Sequence, residues 1–418
     1  MTLAVVALAA LLGGSLAYLL SRPHNTSDPH VAFTVPTKTT TTKHLTEHSA
    51  EDHFLWPFYG YSSTRSHSFT GAPNLHPPFH RGWTFGGNGV MEFAPTIAGH
   101  QLYFLDDGAT LKSVNGRNGR QRWLTHLGKL SSESPAINIK LHRLYAGVLS
   151  LHGDTIGSAG GEFYSVSMGS GRILWRFPVP SGTESSPILA GNSVFFGDQG
   201  GTVYSLNASS GQLQWKFQTG GAVKAGLAYS DGKLYFGNYA GQFYAVNASD
   251  GRQIWSASAS GFLSSGNFYA TPSVAFGRVY AGNTNGYMYS FSAASGQLGW
   301  SINTGAYVYS AAAVQDTRGL GPTVYVGSYS GTIYALNARS GATRWSYKSG
   351  EAISGPITVI NDVAYFSGVY SHDTTGLSAV TGHRVFHFRD GAYGSMVASP
   401  SALYLDGHYT LYEFLPGR

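Results

Sequence analysis

From about residue 94 onward, short apolar segments alternate with turns rich in Gly, Asn, Asp and Ser, as in SPILAGNSVFFGDQGGTVYSL (Ser186 to Leu206). Short β-compatible runs punctuated in this way predict antiparallel strands joined by tight turns. The pattern recurs. TVYSLNASSGQLQW (Thr202 to Trp215), QFYAVNASDGRQIW (Gln242 to Trp255), YMYSFSAASGQLGW (Tyr287 to Trp300) and TIYALNARSGATRW (Thr332 to Trp345) each read as a strand, a turn ending in Gly, and a second strand carrying Trp. Weaker copies end at Trp123 and Trp175. A further strand pair precedes each copy, which makes four strands per unit.

The marks Trp83, Trp123, Trp175, Trp215, Trp255, Trp300 and Trp345 stand 40, 52, 40, 40, 45 and 45 residues apart, the length of one propeller blade. Inner strands are expected to start after Ala94-Pro95, Ser134-Pro135, Ser186-Pro187, Ala225-Gly226, Thr271-Pro272, Ser310-Ala311, Gly355-Pro356 and Ser399-Pro400. Eight starts predict eight blades. The last unit stops near Phe414 without a Trp strand, and GWTF (Gly82 to Phe85) lies ahead of the first complete unit. The two chain ends are therefore expected to pair and close the ring, which removes exposed sheet edges. In the seventh unit Phe386 or Phe388 stands near the expected Trp.

Ahead of the repeats, Thr2 to Leu20 is an uncharged apolar run of 19 residues. That length fits a membrane-spanning signal anchor; Ser15-Leu16-Ala17 leaves a cleaved signal peptide as the alternative. The expected architecture is all-β: an eight-bladed β-propeller of four-stranded blades (56–418), preceded by one N-terminal transmembrane or signal-anchor helix (1–21) and a flexible polar stalk (22–55). The expected location is membrane-anchored with the propeller extracytoplasmic, or secreted if the leader is cleaved.

Composition supports an all-β chain and narrows the chemistry. Charged residues are 11%, aromatics 14%, and glycines number 55. The absence of cysteine excludes disulfides, thiolate metal sites and cysteine nucleophiles. A net charge of +5 without a Lys/Arg cluster gives no nucleic-acid footprint. Eight of the sixteen histidines fall between His24 and His80, but that stretch lacks a fixed backbone on which to build a metal site. No nucleophile-elbow, zincin, P-loop or dinucleotide-binding pattern occurs.

The A-x-N-A-x-x-G-x-x-x-W units resemble the tryptophan-docking repeat of PQQ-like, quinoprotein-type propellers over about residues 56 to 418, including the lead-in WPFYGYSSTRS (Trp56 to Ser66). The resemblance implies that the seven Trp are structural and dock neighbouring blades. It also implies one of two functional groups: non-enzymatic propellers like BamB, or PQQ-dependent alcohol and sugar dehydrogenases with calcium. The dehydrogenases are usually longer, with capping insertions and often a vicinal cysteine pair, and this chain has neither. Its longest insertion lies around Leu149 to Ala159. The reading is a non-catalytic monomeric ring that binds a protein or cell-envelope partner and uses no cofactor; the alternative is a compact PQQ/calcium dehydrogenase. Segments just before the inner strands line the channel mouth of a propeller, and here they offer Glu92, Glu133, Glu184, Lys224, Tyr269, Tyr309 and Glu351 as candidate binding residues. One side of that mouth is expected to be acidic and another aromatic.

Overall fold

The computed structural model describes residues 25–35, 51–87, 89–152, 160–259, 266–391 and 393–417. The apolar run Thr2–Leu20 and most of the second-blade insertion lie outside the described residues. Among the described residues no helix is long and apolar enough to cross a membrane.

Eight antiparallel sheets form the ring, each with four blade strands. Blades 1 to 7 each take four consecutive strands, from Thr96–Ala98 to Gln121–His126 in blade 1 and from Thr358–Ile360 to Arg384–Phe388 in blade 7. Blade 8 is made from both chain ends: Val397–Ala398, Leu403–Asp406 and Thr410–Pro416 are completed by Phe79–Gly86, with Leu411 opposite Phe85 and Phe414 opposite Arg81. The expected closure is observed. Seven of the eight inner-strand starts also fall where the dipeptides place them. The eighth does not: the inner strand Val397–Ala398 precedes Ser399-Pro400, which instead forms the turn to the next strand, with the Ser399 hydroxyl accepting from the Ala402 amide at 3.2 Å. Proline fits that turn because it has no amide to give to a ladder.

Each of the seven repeat Trp joins its blade to the next one. Trp215 of blade 3 donates its indole N–H to the Ala248 carbonyl in the turn of blade 4 at 3.0 Å, and its ring covers Gly251, whose φ is +71°. The same pair of contacts links Trp83 to Gly116 and Gly119, Trp300 to Ala338 and Gly341, and Trp345 to Ala379 and Gly382. Glycine is required there twice over. It accepts a left-handed backbone, and an added Cβ would lie 2.6 Å from the Trp215 ring. This geometry explains the seventh unit, where Phe386 occupies the Trp register opposite Gly376. Blade 8 takes its third and fourth strands from opposite chain ends, so it has no such turn to receive an indole. Phe386 packs instead edge-on against Phe79 and Phe414, at 5.8 and 5.7 Å.

The lead-in runs around the inside of the ring. Trp56 pairs with Ile97 of blade 1, and the carbonyls of Pro57, Ser63, Thr64, Ser66 and His67 accept from Ile137, Tyr229, Val274, Val314 and Val359 at 2.7 to 2.9 Å. Those donors are the second residues of their inner strands. Their N–H groups face the channel axis, where the blades themselves supply no partner, so the lead-in satisfies what would otherwise be open edges. Blade 3 is held by a side chain: the fully buried Arg65 donates to the carbonyls of Ser186, Pro187, Leu227 and Tyr59 at 2.7 to 3.0 Å. Tyr59, Arg65 and His67 are all buried and fill the channel at this level.

The span 22–55, expected as a flexible stalk, needs a correction at both of its described ends. Thr26–Ser27 adds a fifth strand to the outer edge of blade 5, Phe33 stacks on Phe276, and Arg278 donates to the Val31 and Ala32 carbonyls, each at 2.7 Å. Glu51 is buried and accepts from Ser399 at 3.0 Å, and Leu55 already pairs with Ala98. The polar composition of 25–35 reflects a strap on an outer edge whose main-chain groups needed partners.

Candidate functional site

Above the lead-in, the mouth of the channel holds a cavity of about 290 Å³. Its lining includes the same residue from every blade, the one four positions ahead of the inner strand: Glu92, Ser132, Glu184, Lys224, Tyr269, Tyr309, Ser354 and Tyr393. Repetition of the blade backbone aims these eight side chains at one point, and Tyr59 and Phe93 add aromatic wall. Blades 1 to 4 contribute two carboxylates, a hydroxyl and an ammonium, and blades 5 to 8 contribute three phenols and a hydroxyl.

Five of the seven expected mouth residues, Glu92, Glu184, Lys224, Tyr269 and Tyr309, meet in this cavity. Glu133 and Glu351 do not line it, and the reason is register. Glu133 stands one residue past the ring position, which Ser132 occupies; its Oε1 accepts from the Gly147 amide at 2.6 Å and its Oε2 is buried without a hydrogen-bond partner. Burial holds its carboxyl well above the usual range. Glu351 stands three residues before the ring position Ser354, accepts from the Ser371 and Tyr370 amides at 3.0 and 3.3 Å, and lines a separate cleft between blades 6 and 7 with Asp373 and His387. It anchors a loop. Ser132 and Ser354 were missed because charged and aromatic residues were followed instead of distance from the strand, and Tyr393 because the eighth inner strand was expected after Ser399-Pro400; the spacing from the observed strands identifies all three.

The acidic arc is partly neutralised. Glu184 is 3.0 Å from the Lys224 ammonium and accepts from the Gln199 amide at 2.7 Å. Lys224 also lies over the Tyr239 ring, 4.9 Å from its centre. Glu92 accepts from the Ser132 hydroxyl and has no ion-pair partner among the described residues. Burial, together with the Asp107 and Glu184 carboxylates, holds its carboxyl above the usual range against the opposing Ser132 hydrogen bond. The aromatic arc is continuous, with ring centres 5.9 Å apart for Tyr239 and Tyr269, 5.3 Å for Tyr269 and Tyr309, and 5.3 Å for Tyr309 and Tyr329. Tyr307, 52% exposed, packs on Tyr309 and carries the arc to the surface.

The layer beneath is polar and uncharged in part. Burial lowers His67 to about 3, keeping its imidazole neutral, and lowers Arg65 to about 9. A calcium-bound quinone fits this lining poorly. Calcium needs six to eight converging oxygens, whereas the ring offers two carboxylates, one of them paired with Lys224, and no group of three His, Asp or Glu among the described residues is placed to hold a metal.

A family model described as outer membrane protein assembly factor BamB matches residues 107–301 and 319–414. No curated protein matches the chain. Among solved structures, BamB from Moraxella catarrhalis is 14% identical with a TM-score of 0.65, covering 81% of this chain and 100% of that one. Quinohemoprotein alcohol dehydrogenase from Comamonas testosteroni is 10% identical with a TM-score of 0.71, covering 89% and 84%. The quinohemoprotein alcohol dehydrogenase ADHIIG from Pseudomonas putida is 11% identical with a TM-score of 0.74, covering 89% and 81%. Identities this low carry the fold alone. The family match spans most of the repeats, and the repeated indole-on-glycine docking accords with it: the chain belongs to the BamB family of PQQ-like repeat propellers.

Proposed function

We propose that this propeller is a non-catalytic recognition module whose channel mouth binds a protein partner. The observation that carries the reading is the ring of eight equivalent side chains around a cavity whose lower end is filled by the chain's own lead-in. A blocked channel serves no passage, and a rigid mouth edged with tyrosine has the composition of a binding hot spot. Membership of the BamB family favours the same reading, since the family description is of an assembly factor. The poor fit of the lining to calcium and a quinone ranks the dehydrogenase alternative second.

A photo-crosslinking residue placed at Tyr307 on the rim is expected to give a discrete protein adduct in cells, and the same residue at Leu124 on an outer strand of blade 1 is expected to give none. Adducts of equal yield from both positions, or none from the rim, would overturn the reading. The proposal includes an extracytoplasmic location, expected from the apolar run Thr2–Leu20. Digestion of the propeller by protease added to cells with a permeabilised envelope but intact inner membrane supports that placement, and protection contradicts it.

A further inference from the structure

Resting on the recognition reading above, we propose that the mouth cavity receives one cationic side chain of the partner, an arginine or lysine, seated between the Glu92 carboxylate and the tyrosine arc. Three observations lead there. The cavity wall is unbalanced in charge: Glu92 and Glu184 face a single cation, Lys224, and that cation lies against Glu184. Asp107 adds a third carboxylate behind Glu92, close enough to raise its proton affinity. A half-buried carboxylate without a counter-ion loses part of its hydration, and a cation brought by a ligand offsets that cost.

The second observation is an internal precedent. Lys224 shows how this rim holds an ammonium, with a carboxylate oxygen at 3.0 Å and a phenol ring centre at 4.9 Å. On the blade 1 side the same elements recur without a lysine: the Glu92 carboxylate, the adjoining Phe93 ring, and Tyr59 packed 5.4 Å from Phe93. A carboxylate beside aromatic faces is the arrangement that recognises guanidinium and ammonium groups.

Third, size selects one side chain over a folded element. A cavity of about 290 Å³ has room for an arginine side chain, and it is too small for a helix or a strand pair. The rest of the partner would lie across the exposed rim at Tyr307 and Tyr370.

The test uses the full-length protein carrying 3-fluorotyrosine, titrated with Nα-acetyl-arginine amide and, separately, with the uncharged isostere Nα-acetyl-citrulline amide, followed by fluorine NMR. The arginine probe is expected to shift the Tyr269 and Tyr309 signals and to bind at least tenfold more tightly than citrulline. Glu92→Gln is expected to abolish that tenfold preference while leaving the thermal midpoint within a few degrees of the parent. Equal binding of the two probes, or a preference that survives Glu92→Gln, would overturn the inference. So would rim adducts at Tyr307 that persist undiminished in Glu92→Gln, and that outcome would leave the recognition reading itself standing.

Discussion

Gly251 and Gly232 separate the docking of a tryptophan from the cost of a left-handed backbone. Both lie in blade 4 with positive φ, +71° and +75°. A methyl group added at Gly251 would meet the Trp215 ring at 2.6 and 2.8 Å, whereas at Gly232 it would meet nothing within 4 Å. Alanine at either position costs roughly 1–2 kcal/mol for the left-handed conformation. At Gly251 the indole must also withdraw, which adds about 1–3 kcal/mol of overpacking. Loss of its 3.0 Å bond to the Ala248 carbonyl adds about 1 kcal/mol more. Gly251→Ala is therefore expected to lose about 3–6 kcal/mol and Gly232→Ala about 1–2 kcal/mol, read as shifts of the urea midpoint at unchanged slope. In a Trp215→Ala background the cost of Gly251→Ala should shrink to the backbone component, because the two residues share one contact. Equal losses from the two glycine variants, or full additivity with Trp215→Ala, would refute the blade-docking account.

Arg65→Met leaves four buried carbonyls without their donor and is expected to cost at least ~3 kcal/mol; hydrogen exchange at the Tyr229 and Val274 amides should rise with it. In the closing strand, burial pushes Glu413 from its usual 4.5 to about 7, so its stabilising contribution is present below pH 4.5 and is lost as pH rises through 7. Thermal midpoints across that range should therefore fall less steeply in Glu413→Gln than in the parent; identical profiles would remove Glu413 from the account. Arg278→Met deletes both bonds to the 25–35 strap, and hydrogen exchange across residues 25–34 should increase while the blades keep their protection.

The ring itself was legible because blades 1 to 7 repeat one local problem, a turn glycine under an indole, and repetition prints it seven times. Closure was legible from the same repeat, since one unit lacked its Trp strand and another strand stood unclaimed at the opposite end. The mouth was half legible. The residue four positions before each inner strand is a matter of backbone register, and Glu133, one place away, turns its carboxyl into the blade toward Gly147. Following charged and aromatic side chains selected Glu133 and Glu351 and passed over Ser132 and Ser354, and the misplaced eighth start hid Tyr393. The eighth start was misplaced because Ser399-Pro400 copies a dipeptide that elsewhere precedes the inner strand, and blade 8 uses it in the following turn. The course of the lead-in was not legible. Its bonds to the ring run almost wholly through backbone carbonyls, which every residue has, and only Arg65 among its side chains reaches several blades. The strap along blade 5 was hidden for a similar reason: its pairing with an outer edge runs through main-chain groups, and only Val31 and Phe33 add apolar contacts, too few to print a strand pattern.

The central claim is that the mouth recognises a partner and does not house a redox cofactor. Calorimetric titration of the full-length protein with PQQ, with and without calcium, tests it most directly. No calcium-dependent heat is expected, because the ring offers only two carboxylates, Lys224 neutralises one of them, and calcium needs six to eight oxygens. Calcium-dependent binding in the micromolar range or tighter would contradict it and return the mouth to the dehydrogenase reading.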